Sequence, residues 1–503
     1  MSSQSTHEAP AEDVSITKLL VPLIAIIVGI FMVILDGTAV NVALPKFLTT
    51  FSTPDKMLSY SVVQWTVIGY ALAQAAVIPL AGWLSDRFGA KRVFLISIGL
   101  FTISSVLCAL ANTIEMLIAF RIIQGLGGGV VAPIAMAFVY RLAPPSKVGA
   151  MMGMMGVPIL LAPALGPVLA GWLVEYHSWE WIFLLNLPIG IIGIIMGIRS
   201  LPNIARQAVP SLDRLGMILG PLAFAALVYG VSSGGIDLET GESTWTNMET
   251  IVGIGVGAVA LVLFIIVELR KRDPLLELRV FRSGNFTKGI IVQWVSQIAM
   301  FGTLFLVPLF LQQAQGYTPF ETGMIMLPQA LASGLFMPIG GKLSDRYGAR
   351  PLVIAGMIIT TGAAILLANI TGDVSKLQVM IPLTMLGAGM GLFMMPLNTH
   401  LIQSAPQNLV GRVTSLTNAA QQVMMSFAIA VLTTLSVTRM QEVMIADQMQ
   451  KPDAHAYASG FGYAFFILIF IAVVGGILGL MLTKPAKLEG DSNNKADLHT
   501  MVG

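Results

Sequence analysis

Charge is what this sequence has least of. Asp, Glu, Lys and Arg make up 11% of its 503 residues, where a water-soluble globular protein carries about 25%. So few charges cannot clothe a water-facing surface, whereas a lipid-facing surface needs none. Cysteine is nearly absent: Cys108 stands alone in an apolar run, which excludes a disulfide framework and a thiolate metal site. The histidines, His7, His177, His400, His455 and His499, lie far apart with no metal-ligand spacing. No metal and no cofactor are expected. The run GLGGG at 125–129 follows no strand and lies inside an apolar stretch, so it is not a dinucleotide loop. With no nucleotide-binding domain or phosphate loop, ATP is not the direct source of energy. A formal net charge of +2 points to no polyanionic partner, and no nucleic acid is expected.

What is abundant is apolar residues, 55% of the chain, with a mean hydropathy of +0.81. A membrane helix needs roughly 20 mostly apolar residues in a row. Fourteen such runs fall near 19–43, 60–82, 93–112, 114–139, 148–173, 180–199, 214–233, 250–269, 286–312, 322–341, 351–370, 377–400, 411–437 and 460–483. The expectation is an all-α polytopic membrane protein with the bilayer as its solvent. Its first run is too long for a signal-peptide core and reads as a retained span. Orientation follows from Lys and Arg. With the N-terminus inside, only Lys46, Lys56, Lys376, Arg439 and Lys451 fall outside and Arg121 lies within a span; all the rest line the inner side. Both termini are therefore expected in the cytoplasm of a cell whose cytoplasmic membrane the chain crosses.

Residues 81–92 read AGWLSDRFGAKR and residues 340–351 read GGKLSDRYGARP. Each copy follows an outer-to-inner span, the second and the tenth. The simplest arrangement is two six-helix bundles, 18–200 and 286–484, with two helices inserted between them over 201–285, and tails at 1–17 and 485–503. Duplicated halves with a site between them are the architecture of many secondary transporters.

The loop after the second span carries Gly82, Leu84, Ser85, Asp86, Arg87, Gly89, Lys91 and Arg92. It resembles the loop between spans two and three of the major facilitator superfamily, with Ala90 where that family usually has Arg. Residues 35–45, LDGTAVNVALP, resemble the first-span signature of the superfamily's fourteen-span drug:proton antiporters. Arg121, Gln124, Gly125, Gly127 and Gly128 resemble its fourth-span segment. Gly166-Pro167 with Gly171 resembles its antiporter segment in span five, although Ala170 replaces one Gly. WEWIFLLNLPIG at 179–190 resembles a further element, with Glu180 where Arg is usual. The resemblance covers nearly all of the chain except its tails. It implies proton-coupled efflux of small lipophilic or cationic drug-like compounds by alternating access, with a proton gradient and no cofactor as the energy source.

Asp36 is the one carboxylate well inside a predicted span. An ionised acid at mid-membrane costs about 2.5–3.5 kcal/mol or more, so it persists if paired, hydrated or protonated. Two readings stand: a proton coupler that exchanges H+ as a cavity opens to each side, or a permanent ion pair that only joins helices. Arg121 lies inside span four and cannot deprotonate. It is either the partner of Asp36, as the resemblance implies, or a side chain snorkelling to the rim. The resemblance assigns gating to Gly82, Asp86, Arg87 and Gly89, with Asp86 against the start of span thirteen near Arg412. Asp345 and Arg346 are the second copy. Lys91 and Arg92 are either gating residues or topology anchors.

Pro163, Gly166, Pro167 and Gly171 predict a kinked, close-packed fifth span. By physics it is a packing feature; its role as an antiporter helix, and the outward direction of transport, are implied by the resemblance. Asn41, Gln124, Gln293, Gln297, Asn398 and Gln421 are polar residues in spans. They either orient a ligand in a substrate cavity or hydrogen-bond between helices. Other functions remain open at this point: a proton-coupled carrier of a specific metabolite or lipid, or a membrane receptor, channel or enzyme. An enzyme would need a nucleophile or metal cluster at membrane depth, and the sequence shows none.

Overall fold

A computed structural model describes residues 16–53, 57–142, 162–163, 165–203, 213–235, 243–271, 274–370, 375–404, 410–447, 449, 452 and 454–482. These form α1 (Ile16–Phe51), α2 (Tyr60–Phe88), α3 (Ala90–Ala109), α4 (Ile114–Leu142), α5 (165–176), α6 (Glu180–Ser200) and α7 (Arg214–Ser232). After them come α8 (Met248–Arg270), α9 (Gly284–Gln313), α10 (Pro319–Tyr347), α11 (Ala349–Ala368), α12 (Lys376–Gln403), α13 (Val410–Ala446) and α14 (Ala454–Gly479). Thirteen helices among the described residues are long and apolar enough to cross a membrane. Residues 148–161 and 164 of the predicted span five lie outside the described residues, and α5 is the main part described of it.

Apolar run length set these helices, but tertiary packing set their ends. α1 continues through Pro45 to Phe51 and α13 runs on to Ala446, several residues past the apolar runs. α2 is interrupted at Gln64 and tightens into a 3-10 turn at Ile78–Leu80, where Pro79 cannot donate to the ladder. The chain breaks near Asn112 and Ser178, as expected. α8 is the most exposed span, and what it exposes is Ile251, Val259, Val262 and similar residues, a face suited to lipid.

The helices pair in a repeating pattern. α2 and α3 each pack against α4, and α6 packs against α1 and α3. Eight helices on, α10 and α11 each pack against α12, and α14 packs against α9 and α11. The two sets meet where α2 packs on α13 and α1 on α9; α7 leans against α2 and α13, and α8 packs on α7. The repeated loops share a backbone solution. Gly89 has φ 94° and Gly348 has φ 81°, a region that costs an L-residue strain and glycine little, so each loop turns on one residue and the next helix starts at once.

Candidate functional site

Five helices converge on Asp36. The side chains of Asp36, Arg121, Gln124 and Asn186 are wholly buried. Arg121 Nη1 donates to Asp36 Oδ2 at 2.5 Å and to Gln124 Oε1 at 2.7 Å, and its Nε donates to the Thr66 carbonyl at 3.0 Å. The other carboxylate oxygen, Asp36 Oδ1, accepts from Asn186 Nδ2 at 2.8 Å and Gln124 Nε2 at 3.1 Å. Asn186 also reaches Ser105 Oγ at 2.9 Å, and Ser105 donates to the Phe183 carbonyl at 2.9 Å. The guanidinium lies over the Tyr70 ring, 3.9 Å from its centroid. Cys108 Sγ is 3.8 Å from Gln124 Oε1. A buried charge pair is favoured when further hydrogen bonds satisfy both partners; here α2, α4 and α6 supply them directly and α3 holds Asn186 through Ser105, while Arg121 Nη2 has no hydrogen-bond partner among the described residues.

The sequence dictates this convergence locally. Gly125, Gly127 and Gly129 leave α4 without side chains where it crosses α2 and α3: a Cβ at Gly127 would lie 2.9 Å from Ser97 O, and one at Gly129 2.9 Å from Gln74 O. Small residues let membrane helices approach to backbone contact, and that approach brings Arg121 and Gln124 within reach of α1. α5 acts likewise from the other side. A Cβ at Gly166 would crowd Leu35 O and Thr38, flanking Asp36, and Gly171 abuts the backbone of Pro319 and Phe320 at the start of α10. Glu175 accepts from Phe320 N at 3.0 Å. Pro167 is buried against Gly323, and Pro163 is half-buried. The predicted antiporter segment is thus wedged between Asp36's helix and the second half of the chain.

The other expected residues scatter. Gln124, one of the polar span residues expected either to orient a ligand or to hydrogen-bond between helices, hydrogen-bonds within the Asp36 cluster. Gln293 Nε2 donates to Asn398 Oδ1 at 2.7 Å, an interhelical amide pair joining α9 to α12. Asn41 and Gln297 are buried, and Gln421 is half-buried. Gly82, Asp86, Arg87 and Gly89 form the end of α2 and the turn after it, and Lys91 donates to the Ile198 carbonyl at 2.7 Å, capping the end of α6. Arg346 ends α10 beside Tyr347. The side chains of Asp345 and Arg412 lie outside what is described. Asn186, Ser105, Thr66 and Tyr70 were missed. The signal for Asn186 was an amide in the apolar run FLLNLPIG; the others are ordinary polar or aromatic residues of a span, and nothing local marks them.

The Major Facilitator Superfamily pattern matches residues 26–429. The chain belongs to that superfamily. This facilitator is 33% identical over 433 residues to an uncharacterized MFS-type transporter, YhcA, of Bacillus subtilis, covering 86% of this chain and 79% of YhcA. It is 34% identical to a multidrug resistance protein B homolog of Mycobacterium tuberculosis, over 80% of this chain and 73% of that one. A lincomycin resistance protein, LmrB, of Listeria monocytogenes is 31% identical, over 92% and 97% of the two chains. Among solved structures, a D-xylose-proton symporter shares the fold with a TM-score of 0.65 at 16% identity, covering 93% of this chain and 99% of that one. The facilitator is therefore a multi-pass membrane transporter rather than an enzyme.

Proposed function

We propose that this facilitator exports small lipophilic or cationic drug-like compounds in exchange for protons. Two six-helix bundles, residues 18–200 and 286–484, rock about a midplane site, with α7 and α8 inserted between them. α5 belongs to a fourteenth span, and both termini are cytoplasmic. The helix pairings that repeat eight helices apart support the bundles, and the basic loops support the orientation. Relatives named for multidrug and lincomycin resistance support the substrate class and the outward direction.

The observation that carries the coupling is the sealed Asp36–Arg121 pair. A proton on Asp36 cancels one side of that pair and leaves Arg121 buried without its anion. Removing one partner of a buried pair costs about 3–5 kcal/mol. Part of this is offset, because Gln124, the Thr66 carbonyl and the Tyr70 face still hold the guanidinium. The packing that suits ionised Asp36 therefore does not suit protonated Asp36, and a proton gradient can act on that difference. Movement of α1 at Leu35 and Thr38 reaches α10 through Gly166 and Gly171 of α5. The loops around Asp86 and Asp345 and the start of α13 at Arg412 close the inner side.

The test is uptake into inverted membrane vesicles under an imposed pH gradient. Asp36→Asn keeps the size of the side chain but removes its charge and one acceptor oxygen, so gradient-driven accumulation per molecule of protein in the membrane is expected to be lost. Undiminished accumulation by that variant would remove Asp36 from the mechanism.

A further inference from the structure

The inserted pair α7–α8 does not seal against the rest of the molecule. Between it and α2, α9 and α13 lies a cavity of about 740 Å³, within the roughly 300–1,000 Å³ range of built ligand sites. Its walls come from the half of each helix nearest the Lys- and Arg-rich loops: Phe224 of α7, Phe264 of α8, Ala75 of α2 and Ala420 of α13 are examples. They are almost wholly apolar. Water gains nothing from such a space.

Three polar groups interrupt the apolar lining. Arg279 and Arg282 sit on the 275–282 segment at its mouth, and Trp294 reaches it from α9. Arg282 is exposed and has no ion pair or hydrogen bond among the described residues. Arg279 donates to the carbonyls of Leu269 and Lys271 and lies 3.8 Å from Glu277. Trp294 Nε1 is a buried donor with no acceptor among the described residues. Two acids stand behind Gly216 at one wall: Asp213 Oδ1 meets Lys271 and Gly216 N and Glu268 Oε2 accepts from Leu276 N, while Asp213 Oδ2 and Glu268 Oε1 are buried without a partner among the described residues. With the acids buried behind the wall and the arginines at the mouth, the cavity fits an occupant that is long and apolar with an anionic end held at Arg282 and Arg279.

We propose that this cavity holds an acyl chain of an anionic phospholipid. The phosphate lies against Arg282 and Arg279. Free phosphate would leave the walls bare, and a zwitterionic lipid would set its own cation against Arg282. Seated there, the lipid bridges the inserted pair to helices of both halves, so α7–α8 are fastened partly through lipid.

The test uses the full-length protein in phosphatidylcholine vesicles containing a trace of phosphatidylglycerol with a photoreactive acyl chain. Covalent label is expected on the cavity-lining stretches of α7, α9 or α13. Unlabelled phosphatidylglycerol displaces it; extra phosphatidylcholine and inorganic phosphate do not. Arg282→Gln weakens the phosphatidylglycerol competition by about fivefold, the equivalent of about 1 kcal/mol per basic residue at an anionic lipid surface. Ala420→Trp fills the cavity and removes the label while the purified protein stays monodisperse; Ala75→Leu does the same with less bulk should the first variant not fold. Label scattered over the lipid-facing surface, or undiminished in the folded filled variants, overturns the proposal. So does equal competition by phosphatidylcholine, by phosphate or by a lipophilic cation, the last pointing to transported substrate instead.

Discussion

The helix pairs α1–α4 and α9–α12 hold equivalent places in the two halves, yet they are joined differently. Across α1–α4 a carboxylate meets a guanidinium, with Gln124, Asn186 and a backbone carbonyl completing the shell. Across α9–α12 a single neutral amide bond joins Gln293 to Asn398. A neutral pair keeps one protonation state and only fastens helices; an ionic one can be switched by H+. At these matched positions the packing is alike, but among the described residues only the α1–α4 pair holds a carboxylate bonded to a guanidinium; the buried titratable group of the α9–α12 pair is His400, packed against Gly289. The proposed coupling is assigned to the first half on that ground.

Four substitutions sharpen or break that contrast, from the largest effect down. Arg121→Ala leaves Asp36 ionised and buried without a cation, a loss of about 3–5 kcal/mol. Expression, thermal stability of the purified protein and transport should all fall, and Arg121→Lys should recover part of the transport. Equal activity in all three forms would show the ionic pair to be as dispensable as the neutral one. Gly166→Val drives a branched side chain into α1 beside Asp36, an overpacking cost of about 1–3 kcal/mol, read as a fall in transport larger than the fall in membrane-inserted protein. Asn186→Leu removes one donor from Asp36 Oδ1 and costs about 1–3 kcal/mol; its transport should shift in pH dependence, which a purely structural amide would not produce. Gln293→Ala removes only the amide bond, about 0.6 kcal/mol on the scale of membrane hydrogen bonds, and gradient-driven transport should persist. If Gln293→Ala instead abolishes transport as Asp36→Asn is expected to, the two halves share the coupling and the contrast fails.

Much of the fold could be read from residue order because lipid imposes simple rules. A span needs an apolar run of fixed length, and Lys and Arg favour one side. The recurrence of LSDR-(F/Y)-GA marked two copies, and the left-handed glycine at the end of each is the same physical demand met twice. Ends were less legible: the first apolar run ends near residue 43, but neighbouring helices hold the segment beyond it, and α1 carries Pro45 and runs on to Phe51. The polar span residues were the least legible. Gln124 and Gln293 look alike as amides in apolar runs; one binds a carboxylate and a guanidinium, the other a single asparagine.

Residue order by itself determined that this is a helical membrane protein with a duplicated loop, and that Asp36 and Arg121 need an answer at membrane depth, because charge in lipid is costly wherever it sits. Only the tertiary structure decided what the answer is. Which amide, carbonyl or ring stands within 3–4 Å of a charge depends on how closely helices cross, and that is set by glycines on more than one helix, from Gly125 near Arg121 to Gly166 on α5.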